Sequence, residues 1–327
     1  MRPQPHAVVL LGAQRFEPTL ADTVAEVGVT GDIAVITAGW QERESEDEEL
    51  AAHLGDRTVN LELHKRADRV FKSDPELAET HRKRQERMRD HQDLYRVRLE
   101  AALEAIERIA DRKVLDEVRK PALSAAMLAL REIDQWHLAQ CASIRADFNK
   151  SVRPLERKAV MRERAELASL VGRCNAIAIA GGHVATLLNR LELFHVAEFI
   201  GHRAVFAWSA GAMAISQHVV LFHDDPPQGA GAAEVLDAGL GLVPGVVVLP
   251  QPERRLHLSD RARVGLMAKR FAPATCLAFP ARSHAAWHHG HQALGSVGVL
   301  ELTPEGKAIP YEPPMHTPMP ASPRGRA

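Results

Sequence analysis

The chain has 327 residues, 46% hydrophobic and 25% charged, with 41 Lys and Arg against 42 Asp and Glu for a formal net charge of -1. This is the mix of a globular protein long enough to bury a core without disulfide or metal staples. It excludes a fibrous chain or a disulfide-rich miniprotein, and it lacks the overall basic charge of a nucleic-acid binder.

The apolar run Ala7-Val8-Val9-Leu10-Leu11-Gly12 predicts a buried strand, 20–27 has helical spacing, and Ile33-Ala34-Val35-Ile36 predicts a second strand ending at Thr37-Ala38-Gly39. A weaker β-rich run covers 58–63. Short apolar strands alternating with helices imply a parallel sheet covered on both faces. From 64 to 170 glycine is absent and Arg, Glu, Ala and Leu dominate. Leu99, Leu103, Ile106 and Ala110, and later Leu130, His137, Cys141, Ile144 and Phe148, recur at helical steps, with Pro75, Pro121 and Pro154 as helix starts or breaks. This segment reads as an all-helical insertion. In the locally basic run 81–89 the charges read as a solvated helix face, and His137 reads as a core histidine.

The strand pattern returns at Ala176-Ile177-Ala178-Ile179-Ala180-Gly181-Gly182, followed by runs at 204–208, 219–222, 246–249, 275–279, 285–288 and 297–302. From Pro304 the chain is dense in proline, which predicts a disordered tail over 304–327. The expected architecture is therefore α/β: residues 1–63 and 171–303 form one discontinuous domain with a parallel sheet and helices on both faces, and 64–170 is the helical insertion. Cys141, Cys174 and Cys276 lie too far apart for a paired metal motif, and the chain is expected to need no cofactor. No run approaches the roughly 18 apolar residues of a membrane helix, and no secretory signal opens the chain. A cytoplasmic protein that contacts no membrane is expected.

Two turns carry candidate chemistry. In Val205-Phe206-Ala207-Trp208-Ser209-Ala210-Gly211-Ala212, an apolar strand ends at a serine flanked by small residues, with helix-compatible sequence beyond. A nucleophilic serine on a tight strand-to-helix turn needs small neighbours, and the following N–H can stabilise an oxyanion. The alternative is an ordinary helix start with Ser209 as N-cap. Gly181-Gly182-His183 ends another buried strand and can bring backbone N–H groups close to a ligand, although it is not a dinucleotide fingerprint. His284, His288, His289 and His291 cluster, but strand alternation sends them to opposite faces, so no metal site is expected.

Together these turns and the segment Gly239-Leu240-Gly241-Leu242-Val243-Pro244-Gly245 resemble the aspartyl dipeptidase and cyanophycinase family of serine peptidases. That family has a class I glutamine-amidotransferase-like, flavodoxin-like fold. The resemblance implies Ser209 as nucleophile, the N–H groups of Gly182 and Ala210 as oxyanion donors, and Gly181 and His183 on the substrate side. It implies Asp224, or Asp225 beside it, as the acid. For the base, ungapped counting from Pro244-Gly245 reaches Gln251, whereas His257-Leu258-Ser259-Asp260-Arg261-Ala262-Arg263 resembles the family's His-Phe-x-x-Arg-x-Arg run after a short insertion. His257 is the expected base and Gln251 the alternative. Val184, Ala185 and the segment Ala281-Arg282-Ser283-His284 depart from the family's substrate-reading residues. The implied activity is cleavage of a small peptide or isopeptide-like amide through an acyl-enzyme. The rival reading is a catalytically degenerate homologue that binds partners or forms homo-oligomers through the helical insertion. A glutamine amidotransferase is disfavoured by a serine where that class uses cysteine.

Overall fold

The computed structural model describes residues 5–223 and 231–313. Strands β1 (Ala7–Leu11), β2 (Ile33–Ile36), β3 (Thr58–Asn60), β4 (Ala176–Ile179) and β5 (Ala204–Trp208) pair in parallel in the order β1-β5-β4-β2-β3. Every residue of β1, β2, β4 and β5 is buried, because these strands are covered on both faces.

Helices α1 (Leu20–Glu26) and α2 (Glu48–His53) cover one face, where Leu20, Val24 and Leu50 meet Val9, Leu11, Ile33, Val35 and Phe206. Four helices join β3 to β4: α3 (Leu63–Ser73), α4 (Pro75–Ala110), α5 (Asp116–Val152) and α6 (Lys158–Gly172). They are followed by α7 (Val184–Leu193), α8 (Ala197–Ile200) and, after β5, α9 (Ala210–Ile215). Val70, Leu167, Leu187 and Met213 from α3, α6, α7 and α9 pack on the opposite face, against Val8, Leu10, Ala34, Ile36 and Ile177. The two clusters take alternate residues of the same strands, the period of two that a strand imposes.

The rest of the chain departs from a single parallel sheet. Strand β6 (His218–Leu221) pairs antiparallel with β7 (Glu234–Ala238) as a separate hairpin. Strands β8 (Val246–Pro250) and β9 (Thr275–Phe279) are parallel but lie in a second sheet. The short helices between them are α10 (Pro252–Arg255) and α11 (Arg261–Phe271). Strands β10 (His284–His288) and β11 (Gln292–Val297) extend the first sheet antiparallel from β1. Strands β12 (Leu300–Leu302) and β13 (Ala308–Pro310) complete the second sheet. The chain beyond Pro304 therefore remains structured, with the Tyr311 N–H donating to the Val299 carbonyl at 2.9 Å. The remainder of the proline-rich tail lies outside the described residues.

The helical segment is integrated into this frame. Tyr95 and Leu99 of α4 and Leu130 of α5 share a cluster with Val235 of β7, Val247 of β8 and Val264 of α11. The Arg270 guanidinium donates to both Asp134 oxygens at 2.7 Å and to the Tyr95 hydroxyl at 2.9 Å, and Tyr95 donates to Asp134 at 2.7 Å. Pro121 sits inside α5 rather than breaking it. The basic run on α4 is not wholly solvated: His81 is 7% exposed, and Arg84 turns inward to donate to Asn189 at 2.7 Å. His137 is fully buried, stacked 4.2 Å from Tyr95, with a ring nitrogen 3.2 Å from the Leu236 carbonyl. Among the described residues, no helix is long and apolar enough to cross a membrane.

Asp74 starts α4. One oxygen accepts from the Leu77 N–H at 3.0 Å and the other from Arg157 at 2.7 Å. The Arg157 hydrogen bond, opposed by burial, holds this carboxyl below the usual carboxylate range. A depressed folded-state pKa contributes stability above the unfolded-state value, and that stability is lost as pH falls through the folded value. Asp74→Asn is therefore expected to destabilise the protein at neutral pH and much less in strong acid. Thermal melts across that range check it, and an equal loss at every pH would contradict it.

Candidate active site

Ser209 follows β5 directly and begins α9. Its backbone lies at φ 50°, ψ -123°, a region that costs a non-glycine residue of order 1–3 kcal/mol. Its side chain makes no capping hydrogen bond to the helix. The N-cap reading of this serine therefore has no contact behind it, and the strain is not accounted for by capping. The Ala210 N–H lies in the first turn of α9, where a helix provides no backbone acceptor.

The glycine turn after β4 stands against this serine. A Cβ on Gly181 would lie 2.8 Å from Ser209 Cβ and 3.5 Å from its Oγ, and Gly182 has φ +113° with its open side facing the Gly39 carbonyl. The ends of β2, β4 and β5 thus converge on one point at the carboxyl edge of the sheet, where open α/β sheets hold ligands. Gly211 fixes the departure of α9. A Cβ there would fall 2.2 Å from the Ile179 carbonyl oxygen and 2.8 Å from that of Ala180, both rigid backbone of the β4 end. Gly211→Ala is expected to cost about 1–3 kcal/mol or more and to displace Ser209. A chemical-denaturation midpoint equal to wild type would show that α9 has room to move.

The serine opens into a cleft of about 1290 Å³. Gly181, Gly182, Ser209, Ala210 and Gln251 line it together. His257 does not line this cleft. It is exposed on the segment between α10 and α11, and lines a second pocket of about 140 Å³ with Leu103, Glu107 and Met267, which shares Gly231 and Ala232 with the cleft. At the β8 end Gln251 sits in the left-handed region at φ 56° and donates its N–H to the Phe279 carbonyl at 3.1 Å, and α10 follows with Arg255 still on the cleft wall. His183 caps α7, its Nδ1 accepting from the Thr186 N–H at 3.1 Å, and does not line the cleft. Asp224 and Asp225 lie outside the described residues.

Several cleft residues escaped the sequence reading. Trp40 forms part of the wall, as do His53, His223 and Arg255. Burial lowers the pKa of the Arg255 guanidinium. From α4, Arg96 also reaches the wall, donating to Glu234 at 2.8 Å, while Gln92 donates to the same carboxylate at 3.0 Å. The helical segment therefore contributes to the cleft that holds Ser209. A polar position on an amphipathic helix gives no sequence signal of such a role. The histidine cluster divides: His284 approaches Glu26 at 3.7 Å, whereas His288 and His289 have ring centroids 4.0 Å apart and His289 has its Nδ1 3.1 Å from the Pro5 carbonyl oxygen. Among the described residues, no group of three or more His, Cys, Asp or Glu is arranged to hold a metal ion.

No protein-family model matches the chain, and no curated protein matches it. Among solved structures it is similar to a peptidase from an acI-B1 Actinobacterium, at 14% identity and a TM-score of 0.46, covering 94% of this chain and 99% of that one.

Proposed function

We propose that this chain is a serine hydrolase of peptidase type, cleaving a small peptide or isopeptide-like amide through an acyl-enzyme on Ser209. The observation that carries this reading is the strained backbone of Ser209 at the end of β5, with an uncapping side chain in a large cleft beside Gly181-Gly182. Such strain persists where surrounding structure holds it and concentrates at reactive sites. In the proposed reaction the Ser209 oxygen bonds to the acyl carbon as its proton passes to a base. The carbonyl electrons move onto oxygen, held by the N–H groups of Gly182 and Ala210. One such donor is typically worth about 3–4 kcal/mol of transition-state stabilisation. Collapse breaks the C–N bond as the proton passes to the leaving amine, and water then releases the acyl group.

The test is intact-mass analysis after reaction with activated acetyl and aminoacyl esters. An adduct mapped to Ser209, together with turnover of aminoacyl anilides, is the expected result. Absence of both contradicts the reading. A second reading, a non-catalytic binding protein, draws on Gln251 at the β8 end while His257 lies in another pocket. It predicts no adduct and no turnover.

A further inference from the structure

We infer that Phe16, on the loop after β1, is a substrate-contacting residue that selects substrates carrying an aromatic or bulky apolar side chain. This rests on the serine-hydrolase reading and deepens it by naming the substrate class.

Strands β1 and β5 are parallel neighbours, with Leu11 in register with Trp208. The loop 12–19 therefore leaves the sheet one strand spacing, roughly 4.8 Å, from the point where β5 delivers Ser209. Gln14 staples the base of this loop. Its Oε1 accepts the Thr19 and Leu20 N–H groups, each at 2.8 Å, and its Nε2 donates to the Gly12 carbonyl at 3.1 Å. Every residue from Arg15 to Pro18 is exposed, and Arg15, Phe16 and Pro18 line the cleft with Ser209.

Phe16 carries two unfavourable features at once. Its φ of 75° is strained for a bulky side chain. Its side chain is left in water, with the residue 80% exposed. The Arg15 guanidinium lies 5.1 Å from the ring centroid, but Phe16 belongs to no buried apolar cluster among the described residues. Trp40 and Leu50 line the same cleft and also pack against the core on the sheet face, which accounts for their positions. Packing gives no such account of Phe16. A phenyl ring presents neither charge nor a hydrogen-bonding group, so what it gains on being covered is apolar contact. In the wall of this cleft, the group that covers it is a substrate side chain. The Gln14 staple holds the loop in place beforehand, which limits the entropy lost on binding.

The experiment compares hydrolysis of the dipeptides Phe-Ala, Ala-Phe and Ala-Ala by the full chain. Wild type is expected to show a KM for one phenylalanyl dipeptide about tenfold below that for Ala-Ala, the scale of an aromatic contact. Phe16→Ala is expected to lose that preference, with kcat for all three and KM for Ala-Ala within about twofold of wild type. Phe16→Trp is expected to keep it. Phe16→Gly, which also relieves the strain, is expected to lose the preference and to melt at or above the wild-type temperature. A preference retained in Phe16→Ala, no preference in wild type, or an equal loss with Ala-Ala would overturn the assignment while leaving Ser209 as nucleophile. If wild type cleaves none of the three, calorimetric binding of the same dipeptides decides the assignment. It stands if wild type binds a phenylalanyl dipeptide more tightly than Ala-Ala and Phe16→Ala does not, and falls if wild type binds all three alike or none. The absence of an adduct at Ser209 as well would separately overturn the hydrolase reading.

Discussion

Ser209→Ala is expected to lower amide or ester turnover by at least about 10⁴-fold, the scale on which loss of a serine nucleophile is felt, with little change in stability. The oxygen removed makes no capping bond, so no buried partner is left unpaired. Alanine also keeps the same Cβ beside Gly181 and so preserves the tight approach of the two turns. Ser209→Gly separates chemistry from strain. Glycine accepts φ 50° without the penalty that a side chain carries there. The glycine variant is therefore expected to be as inactive as the alanine variant and to melt at an equal or higher temperature. Turnover by either variant at the wild-type rate would remove Ser209 from the chemistry. A glycine variant much less stable than the alanine variant would show that the turn is not strained.

Asp134→Ala is expected to be the most destabilising of the substitutions considered, by about 3–5 kcal/mol, because it strands a buried cation. The Arg270 side chain is 3% exposed and that of Asp134 is 10% exposed, so water replaces little of what is lost. The same change removes the acceptor of the Tyr95 hydroxyl, which itself accepts the Val235 N–H at 3.1 Å. Because β7 begins at Glu234, loosening it also disturbs a carboxylate on the cleft wall. Urea denaturation gives the stability change, and a loss under 1 kcal/mol would show that α4 and α5 are not held to α11 through this network. The amide variant Asp134→Asn, which accepts through one oxygen only, is expected to fall between the alanine variant and wild type.

This network bears on the reading of the helices as an insertion. Their apolar stripes were legible: Leu99, Leu130, Ile144 and Phe148 are buried as their spacing requires. Their attachment was not. Arg270 lies far along the chain, and nothing local to Asp134 shows that a guanidinium waits opposite. In the basic run on α4, Arg82, Lys83, Arg87 and Arg89 are exposed as a solvated face requires, but charge density along a sequence does not reveal that Arg84 has Asn189 to meet.

The sequence by itself determined the alternation of buried strands and helices, the amphipathic helices between β3 and β4, and the small-residue turn around Ser209. Each is a local pattern: unbroken apolar runs for doubly covered strands, three- and four-residue spacing for helices, and glycine or alanine where backbones touch. Only the tertiary structure decided that β8 and β9 leave the main sheet, that Arg96 reaches the cleft, and that Gln251 and His223 line it with Ser209 while His257 occupies another pocket. The physical reason is that a cleft is assembled from the ends of elements remote in the chain. A histidine's place in a motif-like run fixes its neighbours along the backbone, whereas which residues line a cleft with Ser209 is fixed by where strand ends converge in space.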